Sequence, residues 1–532
     1  MTRSRLRLPT SKQEVASEPD RRQRIALLFP VLAVVFVAAL DLTVVAPILP
    51  QVISDLGINT VDADRYSWIV LSYLVAYTVT VPLTGRVSDY LGRIPVFFFA
   101  TALFAAGSVM TAIAGTLGEM VAGRVLQGLG GGAMLPVSMA LVADVTPRRS
   151  RAAALGIVAA VDTFGWVLGP VWGAGINAAF GSWRAVFWLN LPLCVVVAGW
   201  LLVARTELPG RARAGMPNLL SAVLAATALT ALSLALSSGG EAGLEPEQGT
   251  RALGGSQNPL AAYRWPILAL GLATLAGFII NEARSRVPLI PRHLIRAKVF
   301  QFSGIANILV GGALITAMVN APLVVALLAD EDDQPLLSAL LLGSFTLMMT
   351  IGAIAGGRLT TRGGARRIAT IGLVIAAAGF GLMSFWPDEL QMVLMCATIA
   401  LTGVGLGIVI APIAESAISA AGIEDYGVAS GLVLLARLVG MTIGLSAVTR
   451  YAVERLEMRT DALPPLRPMD GESTADYFAR QQDYVEEHAV PLTLEVIHET
   501  FIVAALMCLL TIAAVYWMRQ RRSSRITSST AD

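Results

Sequence analysis

Gly85-Arg86-Val87-Ser88-Asp89-Tyr90-Leu91-Gly92-Arg93 follows one long apolar run, and Gly357-Arg358-Leu359-Thr360-Thr361-Arg362-Gly363-Gly364-Ala365-Arg366 follows another. A bilayer core of about 30 Å needs roughly 20 apolar residues in a helix, and both stretches are bounded on each side by runs of that order. Glycine and arginine occupy matching places, so one short loop occurs twice. Internal repeats of this kind build many secondary transporters, with the substrate site at the interface of the repeats. One carboxylate breaks the match: the first copy has Asp89 where the second has Thr361.

Outward from these loops, apolar runs lie near 25–50, 66–85, 95–115, 118–143, 151–178 and 184–204, then near 217–237 and 266–283. A last group lies near 301–329, 336–359, 367–386, 390–418, 427–452 and 497–518. They define an all-α polytopic membrane protein of fourteen spans. The duplicated loop follows spans 2 and 10, which implies two six-helix bundles with spans 7 and 8 inserted between them. The chain divides into a tail (1–24), a first bundle (25–204), a linker (205–300), a second bundle (301–518) and a second tail (519–532). The linker carries the two additional helices and a basic amphipathic segment, and the second bundle carries a long outer loop at 454–496.

Arginine sets the expected orientation, because cytoplasmic loops carry the excess of basic residues. Arg86 and Arg93 lie between spans 2 and 3, and Arg148, Arg149 and Arg151 between spans 4 and 5. Arg205, Arg211 and Arg213 follow span 6, while Arg284, Arg286, Arg292, Arg296 and Lys298 follow span 8. Arg358, Arg362, Arg366 and Arg367 follow span 10, and Arg519, Arg521, Arg522 and Arg525 follow span 14. The alternate connections are acidic, with Asp55, Asp62 and Asp64, then Glu241, Glu245 and Glu247, then Asp330, Glu331, Asp332 and Asp333. Both termini are therefore expected in the cytoplasm of a cell whose plasma membrane holds the protein. The polar N-terminal stretch has no cleavage pattern after a short apolar core and reads as a tail, not a signal peptide.

Composition excludes several classes. Of 532 residues, 55% are hydrophobic and 14% charged, with a mean hydropathy of +0.68; a soluble chain carries about 25% charged residues. A net charge of +2 is too small for nucleic-acid binding. Lysine occurs only at Lys12 and Lys298, so no phosphate-cradling loop with its lysine is present and transport is not driven by ATP in this chain. Cys194, Cys396 and Cys508 each lie in an apolar run and read as buried thiols. None of His293, His488 and His498 sits mid-span. No cofactor, metal site or enzymatic grouping is expected.

With these residues in place, the whole chain resembles the major facilitator superfamily, and within it the fourteen-span drug:proton antiporters. Gly85, Arg86, Asp89, Gly92 and Arg93 match the superfamily's signature between helices 2 and 3, a conformational switch loop. Asp41-Leu42-Thr43 through Pro50 resembles the helix 1 pattern of the fourteen-span branch, with Ala46 where Asn is common. Arg124, Gln127 and Gly128 resemble the helix 4 motif linked to proton transfer. Gly156, Gly165, Gly169, Pro170 and Gly173 resemble the helix 5 antiporter motif, whose final Gly is Ala174 here. Trp183-Arg184, Phe187, Asn190 and Pro192 fit the start of helix 6. The resemblance implies two bundles that rock about a central cavity lined by helices 1 and 4, and a cytoplasmic latch at Asp89 that lacks a counterpart at Thr361.

Small residues four apart on a helix let a second backbone approach, and proline favours a bend. The helix 5 glycines are accordingly expected to form a close, bendable contact between the bundles. Charges within a span cost roughly 2.5–3.5 kcal/mol on insertion scales, so each is a functional candidate. Asp41 and Arg124 fall in the outer half of spans 1 and 4, where they can meet or share a proton. Asp162 and Arg437 fall about 16 Å and about 15 Å from the cytoplasmic face at 1.5 Å per residue. Equal depth does not establish contact, but an unpaired Arg437 at that depth is hard to explain; as a pair, the two are a direct coupling pair or a fixed tie between bundles. Glu415, near the cytoplasmic end of span 12, is a coupling carboxylate or simply faces water. Asp41 is the leading coupling carboxylate, because a carboxylate that changes surroundings between two states changes its affinity for a proton.

Two features exceed the generic antiporter. Residues 284–300 mix basic and apolar side chains, as suits a segment at the cytoplasmic lipid surface. Residues 454–496, with Tyr477, Phe478 and Tyr484, read either as a solvated loop or as a partly helical flap that docks an outer-face protein partner. These elements, with Gly427-Val-Ala-Ser-Gly431 and Ala436-Arg437 through Met441, are similar to an actinobacterial subgroup linked to lipid export. The leading functional reading is a proton-driven multidrug-efflux antiporter for hydrophobic or amphiphilic compounds. Its alternative is export of cellular lipid, an acylglycerol or glycolipid, on the same scaffold. The expected partners are protons, the bilayer and a lipophilic small molecule or lipid, and no nucleic acid.

Overall fold

The computed structural model describes residues 21–57, 63–204, 218–237, 263–285, 288–330, 333–421, 423–460 and 490–518, with isolated positions at 480, 484 and 488. Both expected tails, apart from 21–24, and the stretch 461–489, apart from those positions, lie outside the described residues. Regular structure among them is helical throughout. The first bundle holds α1 (Arg21–Thr43), α2 (Ala63–Leu91), α3 (Arg93–Ile113), α4 (Leu117–Val145), α5 (Arg151–Phe180) and α6 (Asn190–Ala204). The inserted pair is α7 (Leu219–Ser237) and α8 (Arg264–Arg284). The second bundle holds α9 (Lys298–Leu328), α10 (Gln334–Gly363), α11 (Ala365–Met383), α12 (Met392–Ala421), α13 (Tyr426–Thr460) and α14 (Val490–Trp517). Among the described residues, eleven helices are long and apolar enough to cross a membrane, or twelve with the bent α5 taken as one span; α1 and α7 hold shorter apolar stretches.

The repeated motif is helical for most of its length, not a loop. α2 runs on through Leu91 and α10 through Gly363; the chain reverses at Gly92 (φ 93°) and Gly364 (φ 79°), and the next helix begins at once. Positive φ is where glycine costs least. The two turns occupy the same place in each copy, which makes the duplication structural as well as textual.

The same repeat brings the bundles together. A side chain on Gly85 would collide with the carbonyl of Gly427 on α13, and one on Gly357 would lie 2.6 Å from the carbonyl of Ala152 and 3.0 Å from Cα of Gly156 on α5. Each copy thus offers a glycine to a glycine of the opposite bundle. Around these crossings a single apolar core joins α2, α4 and α5 to the ends of α12 and α13, through residues such as Leu155, Val142, Ile418 and Val433. The arginine-bearing face is therefore closed, because bare backbones there approach within side-chain distance.

Two expectations about surface segments need revision. Within 284–300, Leu289 and Leu294 are buried, and the short helix Arg292–Arg296 sets His293 Nε2 3.2 Å from Asp425 Oδ2. That segment is strapped onto the closed face, and only its outer side, such as Ile295, stays exposed. The 454–496 connection is shorter at both ends than its polarity suggested: α13 continues to Thr460 and α14 starts at Val490. Arg459 pairs with Glu495 at 2.7 Å and with Glu499 at 2.6 Å. These pairs satisfy the charges that made the flanks read as loop.

Candidate functional site

Asp41 lies at the centre of a polar knot inside the first bundle. Arg124 Nη1 is 2.7 Å from its Oδ2, while Gln127 Nε2 and Asn190 Nδ2 donate to Oδ1 at 3.2 and 3.1 Å. Ser108 Oγ accepts from the same two amides at 2.9 and 3.3 Å. Arg124 also donates to the Ile69 carbonyl and stacks 4.2 Å from the Tyr73 ring centroid. Hydrocarbon supplies no water, so each polar group must find a protein partner. Asp41 and Arg124 do meet, but both are fully buried, and they are enclosed by the first bundle instead of lining a cavity between bundles. Ser108 escaped the sequence reading, which counted charges and passed over mid-span hydroxyls.

Asp162 and Arg437 do come together across the bundles, Nη2 to Oδ2 at 3.6 Å. That distance gives an ion pair without a good hydrogen bond. Two pockets meet at the pair. One is lined by Leu135, Met139, Leu155, Ile410 and Val433; the other by Trp166, Leu314, Met318, Phe345 and Met349. Charge in both is confined to Asp162 and Arg437. Glu415 does not simply face water. Its Oε1 accepts from Ser419 Oγ at 2.5 Å, its Oε2 is enclosed with no hydrogen-bond partner among the described residues, and Arg151 of the first bundle lies within electrostatic reach.

The motif at the end of α2 forms the tie that closes this face. Asp89 accepts from the backbone N–H of Gly427 and of Val428, each at 3.0 Å, and so caps the first turn of α13. A carboxylate there neutralises unpaired amides and the positive end of the helix. Arg93 contacts Asp89 and reaches Asp144 at 3.0 Å; Arg86 pairs with Asp425 at 2.9 Å. Burial raises the Asp425 carboxyl above the ordinary range, against the lowering pull of Arg86 and His293. In the second copy, Thr361 Oγ1 donates to the carbonyl of Arg358, and among the described residues the carboxylate tie exists on one side alone.

The helix 5 glycines are divided between two tasks, a correction to the single inter-bundle contact expected of them. Gly156 faces Ala353 and Gly357 across the bundles, whereas Gly165 and Gly169 pack on Phe36 and Leu40 of α1, and Gly173 on Val44 just past its end, in their own bundle. α5 bends by 44° between Trp166 and Leu168. Pro170 has no N–H for the carbonyl four residues back, which belongs to Trp166. Thr43 Oγ1 donates to that carbonyl at 2.9 Å instead. Among the described residues, no group of His, Cys, Asp and Glu is arranged to hold a metal.

Two bundles joined at duplicated glycine crossings, with charges held between apolar helices, define a major facilitator. The family model of the Major Facilitator Superfamily matches residues 31–445, and the chain belongs to that family; it is a transporter and not an enzyme. It is 34% identical to a triacylglyceride transporter of Mycolicibacterium hassiacum, over 81% of this chain and 80% of the relative. It is also 34% identical to a triacylglyceride transporter of Mycobacteroides abscessus (86% and 88%) and 33% identical to a probable one of Mycobacterium leprae (84% and 88%). Among solved structures, a human organic anion transporter shares the fold with a TM-score of 0.59 at 16% identity, covering 92% of this chain and 99% of that one. A proton:xylose symporter does so with a TM-score of 0.53 at 13% identity, covering 91% and 95%.

Proposed function

We propose that the protein exports neutral lipid, of the acylglycerol or glycolipid class, from the cytoplasmic side of the cell membrane by proton-coupled alternating access. The alignment to triacylglyceride transporters over four-fifths or more of both chains carries this reading. The pockets between the bundles support it, since their walls are apolar and their charge is limited to one pair. On this reading the arginine-rich face and both termini lie in the cytoplasm. The Asp89 cap holds that face shut while cargo leaves on the other side, and its loss lets the bundles rock.

The energy source is the proton gradient, with no cofactor; one charge crossing is worth about 2.3 kcal/mol per 100 mV. Asp41 is the coupling carboxylate with Arg124 as its partner, Asp162 and Arg437 are the tie between bundles, and Glu415 is a second proton carrier. Asp41 gains or loses its proton only when its knot opens, so proton transfer and conformational change are one event.

A second reading, efflux of amphiphilic drugs, rests on Asp162, a carboxylate at the pocket boundary suited to a cationic amphiphile. Reconstitution separates the two. Purified protein in liposomes with an imposed pH gradient is given a labelled triacylglycerol and a cationic dye. Lipid movement without dye movement supports the proposal, and dye alone supports the second reading. Movement of neither, with Asp41→Asn equal to the unaltered protein, sinks both.

A further inference from the structure

We infer that Trp166 is the residue by which the transporter recognises ester groups: its indole N–H and the Arg437 guanidinium are the donors of a headgroup subsite between the bundles, and the ester carbonyls of an acylglycerol are their acceptors. The inference rests on the neutral-lipid reading above and names the chemistry of recognition within it.

Trp166 Nε1 is enclosed by protein and has no hydrogen-bond partner among the described residues. An indole nitrogen only donates, and an unpaired donor kept away from water costs free energy that folding alone has no reason to spend. Trp166 lines the pocket on the outer side of the Asp162–Arg437 pair. In that pocket the hydroxyls are already committed as donors: Thr163 donates to the Ala159 carbonyl at 2.9 Å and Thr346 to the Leu342 carbonyl at 2.5 Å. Arg437 keeps donors to spare, because its one ion-pair contact is 3.6 Å long and a guanidinium carries five N–H groups.

The subsite thus has a surplus of donors, held by both bundles, with Trp166 on α5 and Arg437 on α13. Leu314 and Met318 of α9 and Phe345 and Met349 of α10 wall it. A triacylglycerol is the complement, with acceptors but no donors at its glyceryl centre and hydrocarbon everywhere else. A hydrocarbon of the same shape leaves both donors unpaired, and an ether lipid offers them only the weaker acceptor of an ether oxygen in place of a carbonyl. Position adds a mechanical consequence. Trp166 ends the first segment of the bent α5, so a carbonyl held there engages the helix at its bend.

The test compares matched lipids. Unaltered protein and Trp166→Phe are reconstituted in liposomes with a pH gradient, and each is given labelled triacylglycerol and its tri-ether analogue, which has no carbonyls. The unaltered protein is expected to prefer the ester lipid, and Trp166→Phe to lose about five-fold in ester transport, the worth of one hydrogen bond. Ether transport should stay unchanged, which also reports that the variant is folded. If Trp166→Phe does not assemble, benzothienylalanine at position 166 replaces N–H by sulfur at constant shape and gives the same comparison. An unchanged ester-to-ether ratio overturns the role of Trp166 and leaves lipid export standing. If the unaltered protein moves neither lipid, the lipid reading falls and the subsite falls with it.

Discussion

Thr43 donates its hydroxyl to the main-chain carbonyl of Trp166 at 2.9 Å, and so closes the gap that Pro170 opens in the ladder of α5. Two motifs meet in this bond, one from α1 and one from α5. Gly169 makes room for it, since a Cβ there would collide with Thr43 Oγ1. Thr43→Val keeps the shape and removes the donor. It is expected to cost about 1–3 kcal/mol, as for any buried acceptor left unpaired, read as a lower midpoint of thermal unfolding in detergent. Thr43→Ser should restore most of it. Equal midpoints for the Val and Ser variants would mean that the bend does not depend on this bond.

The Asp89 cap predicts a population shift. Asp89→Asn keeps an acceptor for the amides of α13 but loses the charge that faces the helix end and Arg93. A partly buried charge at a helix terminus is worth up to about 2 kcal/mol, so the ratio of closed to open forms should fall by roughly 5- to 30-fold. Distances between spin labels at the Leu91 end of α2 and the Tyr426 end of α13 report this. Thr361→Asn in the second copy should leave the distribution unchanged, because Thr361 bonds within its own helix, to the carbonyl of Arg358.

For Asp41 and Arg124 the expectation is non-additive. Removing one member of a buried pair strands the other charge, at about 3–5 kcal/mol, whereas replacing both by apolar residues is often neutral. Asp41→Leu and Arg124→Leu should each lower the unfolding midpoint, and the double variant should recover much of the loss. Gradient-driven transport should be absent from all three. Should the double variant still pump, the pair is a structural knot and proton coupling resides elsewhere.

Asp425 predicts a pH effect on the closed face. Burial raises its carboxyl above the ordinary range, and opening the face would return it toward the value of an exposed carboxylate. The closed form therefore holds the proton more tightly, its advantage is complete below the ordinary range, and it is lost as pH rises through the raised value. Acidification from about pH 7 to about pH 4 should increase the closed fraction in the spin-label measurement. Asp425→Asn should flatten that response; a response of undiminished size would assign it to other groups.

Removal of side-chain room at the crossing is the last test. In Gly85→Ala the new methyl meets the Gly427 carbonyl, with backbone on both sides and nothing flexible to yield. Overpacking of this kind costs about 1–3 kcal/mol. The closed form should be depleted without loss of folded protein, so cross-linking between α2 and α13 should weaken while the unfolding midpoint holds. Gly364→Ala, with open space around it but a positive φ, should instead lower the midpoint and leave cross-linking alone.

How much of this was legible from residue order depends on range. Span positions, the duplicated turn and the arginine asymmetry are local or periodic features. Hydrocarbon tolerates only satisfied backbone and few charges, so residue order alone marks where helices run and which of their ends are basic. The five intramembrane charges were visible for the same reason, each being too costly to lie in a span without a task. Their pairing was less visible. Depth along a helix suggested that Asp162 can meet Arg437, but the rotation of each helix about its axis comes from packing, and depth carries no information on it. Rotation is what sealed Asp41 within one bundle, left Asp162 at the pocket boundary and turned Gly165, Gly169 and Gly173 toward α1 while Gly156 faced the other bundle.

Neutral polar groups were harder still. Ser108, Thr43 and the Trp166 indole carry no charge to betray them, and a hydroxyl in a span usually bonds back to its own helix. What distinguishes these three is the company that folding gives them: a knot around Asp41, a carbonyl freed by proline, a donor without an acceptor. Residue order thus establishes a membrane transporter built from two copies of one plan, because hydropathy, glycine turns and arginine placement act along the chain. The closed face, the sealed Asp41 and the donor-rich pocket arise from contacts between residues far apart in that order, and such contacts exist only once the helices have packed.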